Sequence, residues 1–185
     1  MITGLILLAV LVGVGSFVAS VYNGLVRLRN GSDSAWSDID VQLKRRADLV
    51  PNLVESVKGY AGHERSTLDE VTQARARAMQ AVTPGERSAA ESKLGRALGG
   101  LFAVAEAYPE LKANQNFLSL QGDLGKLEEA IQNARRYYNA VVRDLNTRCE
   151  AFPSNLVASH FGFAKKEYFE LESPAERAAP AVSFS

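Results

Sequence analysis

Few side chains in this sequence could do covalent or acid-base chemistry: His63 followed by Glu64, His160 before Phe161, and the single Cys149 after Arg148. His63-Glu64 begins like the helix of a zinc hydrolase, but the second His of that motif is missing. His160 sits near Phe161 and Phe163, where a packed or capping histidine is the simpler reading, because catalysis needs convergent partners. The neighbouring Arg148 can lower the Cys149 thiol pKa, yet a lone cytoplasmic Cys at a helix end is ordinarily inert. Gly95, Gly99 and Gly100 lack the strand and the Lys-Ser or Lys-Thr of a phosphate loop. No catalytic, cofactor-binding or metal-ligating residue is therefore expected. A membrane-bound hydrolase using His63, Glu64 or His160 stands as the rival class.

Composition points the same way. The 21 Lys and Arg balance the 21 Asp and Glu, so no global field gathers nucleic acid, and no nucleic-acid partner is expected. One Cys excludes an internal disulfide framework and two His leave little for a metal cluster. At 185 residues the chain has room for one domain with a real core.

Charge is absent at the amino end. No Asp, Glu, Lys or Arg precedes Arg27, and Ile2 to Val21 gives 20 uncharged residues. At 1.5 Å per residue about 20 residues cross the roughly 30 Å hydrocarbon layer, so one transmembrane helix is expected. A cleaved secretory signal is the competing reading, but the basic n-region is missing and Val18-Ala19-Ser20 is a poor cleavage site. Lipoprotein processing needs a Cys near residue 20, and the only Cys is Cys149. Arg27 and Arg29, with Lys44, Arg45 and Arg46 further on, place the bulk of the chain in the cytoplasm and the amino terminus outside by the positive-inside rule.

Ala9, Gly13, Ser16, Ser20 and Gly24 recur at steps of four, three, four and four, which stacks them on one helix face. Such a face lets a second backbone approach in lipid and suggests a homo-oligomer. Small residues are also simply common in membrane spans, and the pattern alone does not choose. Further along, Asp38, Asp40, Lys44, Arg45, Arg46, Asp48, Asn52 and Glu55 form a polar segment with Asp40 and Lys44 spaced for an ion pair. It reads either as a solvated face laced with weak pairs or as an interaction face for another copy or another membrane protein, carried by Asp38, Asp40, Lys44, Arg45, Asp48 and Asn52. Lipid contact by Lys44-Arg45-Arg46 is disfavoured, because a straight helix puts them about 30 Å from the membrane.

Helical periodicity fills the rest, without a sustained alternating run. Trp36, Ile39, Leu43, Ala47, Val50, Val54 and Val57 make the first stripe, with Pro51 inside it removing the hydrogen bond to the Ala47 carbonyl, so a kink is expected. Leu68, Val71, Ala74 or Arg75, Ala78 and Val82 make the second, capped by Ser66 or Thr67. Thr83-Pro84-Gly85-Glu86 reads as a capping box opening a third helix that buries Leu94, Leu98, Leu101 and Ala105, its glycines serving close packing. Asn114 caps a fourth, carrying Phe117, Leu120, Leu124, Leu127, Ile131, Ala134, Tyr138, Val141 and Leu145 to about Cys149. Ser154 to His160 forms one further turn, closed by Gly162.

The expected fold is all-α: a single N-terminal transmembrane helix continuing into an antiparallel four-helix bundle with a long, Pro-kinked first helix. The domains expected are an anchor at 1–26, a helical domain at 27–172 and a flexible tail at 173–185, rich in Ala and Pro.

The stretches Tyr22 to Asn30, Ala35 to Arg46 and Asp48 to Glu55, then Val57 to Ala61 and His63-Glu64, resemble the opening of the LemA family. Tyr108-Pro109, Leu111 to Asn114 with Phe117 and Leu120-Gln121, Tyr138-Asn139, Pro153 to Asn155, Phe161 to Phe163 and Phe169-Glu170 follow in the family's order, so the resemblance reaches about residue 172. It implies a bacterial cell-membrane protein with a short exterior amino terminus, one membrane helix and a helical bundle inside the cell, similar to a magnetosome-associated branch. It also implies no established enzymatic activity and a scaffolding or accessory role beside membrane or envelope proteins. The partners expected are membrane lipid, a second copy of the chain and another membrane protein, with a regulatory adaptor as the alternative role.

Overall fold

Every regular element in the computed structural model, which describes residues 1–170, is helical. The expected tail at 173–185 lies outside the described residues. α1 runs without interruption over Ile2–Lys58, so the apolar segment and the first amphipathic stripe belong to one helix. It is followed by α2 (Arg65–Gln80), α3 (Pro84–Glu106), the single turn α4 (Pro109–Lys112), α5 (Gln115–Glu150) and α6 (Ser154–His160).

The chain divides into two compact units. One holds residues 1–38 and 134–168, with a core of Val21, Leu25, Leu145, Val157 and Ala158. There Tyr138 donates to the Glu167 carbonyl at 2.9 Å and meets the Trp36 ring at 5.5 Å. Asn146 accepts from the Lys166 N–H and donates to the Lys166 carbonyl, both at 2.9 Å, which ties the non-helical stretch after α6 to α5. The other unit holds 39–133 with Phe169 and Glu170, and draws Val50, Leu53 and Val57 of α1, Val71 and Ala78 of α2, Leu94 and Leu101 of α3, Leu111 of α4 and Phe117 of α5 into one core.

Helix ends follow local chemistry where a side chain can reach the free N–H groups. The Thr83 hydroxyl accepts from the Glu86 N–H and the Glu86 carboxylate accepts from the Thr83 N–H, each at 3.2 Å, so the capping box forms. These backbone donors hold the Glu86 carboxyl below the usual carboxylate range. Asn114 Oδ1 accepts from Asn116 and Phe117 N–H at 2.9 and 3.1 Å. The expected cap of α2 at Ser66 or Thr67 is corrected: the helix starts at Arg65, and Glu64 caps it without a side-chain bond. Val82 is 81% exposed rather than part of the stripe, because the chain turns extended at Ala81. Leu53 is fully buried while Val54 is only half-buried, and Val142 takes the buried place expected of Val141.

Pro51 lies inside α1 and has no N–H to give the Ala47 carbonyl. The structure supplies another donor. Arg75 Nε of α2 reaches that carbonyl at 2.6 Å, so the proline's missing bond becomes a link between two helices. Arg75→Met should then leave a buried carbonyl unsatisfied and cost about 1–3 kcal/mol. Pro51→Ala restores the N–H, so urea unfolding is expected to show a smaller cost of Arg75→Met in the Pro51→Ala background than in the wild type.

Candidate functional site

The polar residues of α1 divide into two groups that the sequence ran together. Asp38, Lys44, Arg45, Asp48 and Asn52 are exposed, as is the Asp40 residue, but Arg46 is 6% exposed. Arg46 stands three residues after Leu43 and four before Val50, on the apolar stripe rather than the polar face. Its place among the solvated charges is therefore corrected. Asp40, expected to pair with Lys44 along the helix, is instead ion-paired with Arg87 of α3.

Around Arg46 a charged cluster occupies the second unit. Arg46 contacts Glu91 of α3 at 3.5 Å and Glu128 of α5 at 3.4 Å, while Arg87 Nε faces Glu91 at 4.0 Å. Arg87 also donates to the carbonyls of Ala78 and Ala81 at 3.1 and 3.2 Å, satisfying the open end of α2. Burial pushes the Glu91 carboxyl up. Arg46 and Arg87 oppose this only in part, since their contacts are long and Glu128 and Asp40 add like charge. Arg46 Nε is buried without a hydrogen-bond partner.

An open cavity of about 410 Å³ lies beside the cluster, lined by Arg46, Gly95, Leu98, Phe102, Gln121 and Glu128 among others. A Cβ at Gly95 would stand 3.3 Å from Arg46 Nη2, so this glycine makes room for the arginine. Gly99 has nothing within 4 Å of such a Cβ and Gly100 has only Thr67 Cγ2 at 4.0 Å, which corrects the expectation that all three serve close packing.

The small residues of the anchor also separate. Ala9, Gly13, Ser16 and Ser20 are exposed, whereas Gly24 is buried, a Cβ there falling 2.7 Å from Arg148 Nη1. Gly24 is thus occupied by its own chain. Among the hydrolase candidates, His63 is exposed, and His160 is exposed with its ring 4.9 Å from Phe161. Cys149 is half-buried and burial raises its thiol pKa, the opposite of activation by Arg148. Among the described residues no three His, Cys, Asp or Glu side chains gather as a metal site.

Arg87 and Glu91 were missed in the sequence and Arg46 and Arg75 were given other roles there, although a signal for three of the four was present. Arg46, Arg75 and Glu91 each fall three or four residues from buried positions of their own helix, where a charge has to be paired. Buried Asn146, four residues after buried Val142, has the same spacing but no charge to mark it.

These features define an all-α protein whose first helix opens with an exposed apolar segment long enough to cross a membrane. Residues 35–184 match the LemA family, and the chain belongs to it. It is similar to Magnetosome protein MamQ 1 and MamQ 2 of Paramagnetospirillum magneticum, each 27% identical over 189 residues, covering 86% of this chain and 69% of theirs. It is also similar to Protein LemA of Metamycoplasma hominis, 30% identical over 138 residues, which is 74% of this chain and 63% of that relative. None of these names states an enzymatic activity.

Removing one member of the buried pair strands the other, so Arg46→Ala is expected to cost about 3–5 kcal/mol in urea unfolding. The Arg46→Met, Glu91→Leu double variant should cost less than the sum of the single changes. With a raised pKa the folded state keeps a proton on Glu91 that the unfolded chain has lost, so stability falls as pH rises from the ordinary carboxylate range through the raised value. Glu91→Gln removes that slope, and wild type should gain stability relative to it as pH is lowered through the window. Gly99→Ala should stabilise by up to about 1 kcal/mol through helix propensity, whereas Gly95→Ala should not, because it crowds Arg46.

Proposed function

We propose that this LemA family member is a non-enzymatic, single-pass helical scaffold of the bacterial cell membrane, with its amino terminus outside and its helical domain in the cytoplasm. The observation that carries this is the condition of the first 20 residues. They are helical from Ile2 onward, their mean hydropathy reaches 2.5, and none of that stretch is buried among the described residues. An apolar surface of this size left in water would drive aggregation, and a bilayer removes the cost. The anchor is taken to end near residue 26 and the domain to extend to about 172, as the onset of charge at Arg27 and the burial of Phe169 support.

Self-association through the anchor is the second part of the proposal. Ala9, Gly13, Ser16 and Ser20 are unobstructed by the chain itself and can bring a second α1 close. Lys44, Arg45, Asp48 and Asn52 offer exposed charges for fixing register with a neighbouring copy or another membrane protein, and Asp40 is less available because Arg87 holds it. The names of the MamQ relatives, as magnetosome proteins, favour a role within a cellular assembly over turnover of a substrate.

Carbonate washing of vesicles should leave the chain in the pellet, and protease added to intact spheroplasts should spare its carboxyl half. Stripping by carbonate or digestion from outside would overturn the anchored, inward-facing reading. In mild detergent the particle mass should exceed one chain and fall when Gly13→Leu and Ser20→Leu are combined. An unchanged mass would reject assembly through this face.

A further inference from the structure

Just beyond the apolar segment, α1 and α5 border an open cleft of about 460 Å³ lined by Gly24, Arg27, Leu28, Asp144, Thr147 and Arg148. Arg27 of α1 and Arg148 of α5 both line it. Asp144 is paired with Arg143 at 3.5 Å, and among the described residues neither Arg27 nor Arg148 has an ion-pair partner. Unpaired arginines in one cleft form a phosphate or carboxylate site in search of its anion. Gly24 makes room for the arginine, since a Cβ there would stand 2.7 Å from Arg148 Nη1.

The height of this cleft selects the anion. With the hydrocarbon-crossing part of the anchor over residues 2–21, Gly24 and Arg27 follow its end by about 4.5 and 9 Å at 1.5 Å per residue, at the outer edge of the anchor. The headgroup layer extends about 5–8 Å beyond the hydrocarbon, and an arginine side chain reaches further back. Independent contacts mark the same level: Val18 and Val21 pack with Val157 and Ala158, and the Tyr22 ring meets Phe161 and Phe163 at 4.9 and 5.7 Å. Phe152 just before α6 and Leu156 within it are 80% and 61% exposed, which suits an interfacial position.

We infer that the cleft holds the phosphate of an anionic phospholipid, with Arg27, Arg148 and the Thr147 hydroxyl as donors. This rests on the anchored reading above and adds lipid selectivity to it. The bound headgroup clamps α5 to α1 where the helix leaves the bilayer.

The full chain in mild detergent would be titrated with phosphatidylglycerol or phosphatidylcholine of equal acyl length, and bound lipid counted by native mass spectrometry. Phosphatidylglycerol should be retained preferentially. Arg27→Gln or Arg148→Gln should each weaken its binding about fivefold, and both together about thirtyfold, with an unchanged melting temperature. Gly24→Ala, which displaces Arg148 without removing charge, should also weaken it, whereas Lys at both arginine positions should retain most of the preference. Equal retention of the two lipids, or wild-type selectivity in the double Gln variant, would overturn the site. So would displacement of the lipid by inorganic phosphate at equal concentration, which would mark a soluble-anion site. Carbonate extraction separates the two levels: an embedded chain without selectivity loses this inference alone, and a stripped chain loses the anchoring as well.

Discussion

An α-helix satisfies its own backbone wherever it lies, but it cannot hide side chains that are apolar all round. Up to Phe17 every position of α1 is exposed, and burial by the chain's own side chains begins only at Val18 and Val21. The rest of the described chain is arranged around that changeover. Before it, α1 presents an apolar surface that no other described segment covers. After it, the helix becomes amphipathic and first meets Leu145, Val157 and Ala158, then further along the core that includes Val71, Leu94 and Leu101.

Within the second unit the organising chemistry is polar. Arg75 repairs the carbonyl that Pro51 leaves open, Arg87 closes the carboxyl end of α2, and Arg46 lies between carboxylates from α3 and α5. Leu and Val could fill the same volume, but they could not satisfy those carbonyls. The guanidinium suits this work because it carries five donors in a fixed plane. The hydrophobic contacts hold these helices together, and the arginines restrict which helix faces can meet.

What is left outside is also informative. Gly24 and Arg46 each lie in a pattern that looks uniform along α1, yet each is engaged within the chain, Gly24 beneath Arg148 and Arg46 against Glu91. Their neighbours Ser20, Lys44 and Arg45 remain exposed. Intramolecular packing therefore subtracts residues from a candidate interface before a partner is considered.

The sequence by itself determined the helical class, the uncharged membrane-length segment, the capping box at Thr83 and Glu86, and the boundaries near Asn114 and Cys149. Each depends on residues within one or two turns of one another, so the local covalent order already holds the physics. The tertiary structure alone decided that Arg46 turns inward, that Asp40 joins Arg87 rather than Lys44, and that Arg75 answers Pro51. Those partners are separated by 45, 47 and 28 positions, as the Arg46–Glu91, Asp40–Arg87 and Ala47–Arg75 contacts show. A charge on an apolar stripe announces that it needs a partner, but only packed helices bring one particular carboxylate or carbonyl within reach of it.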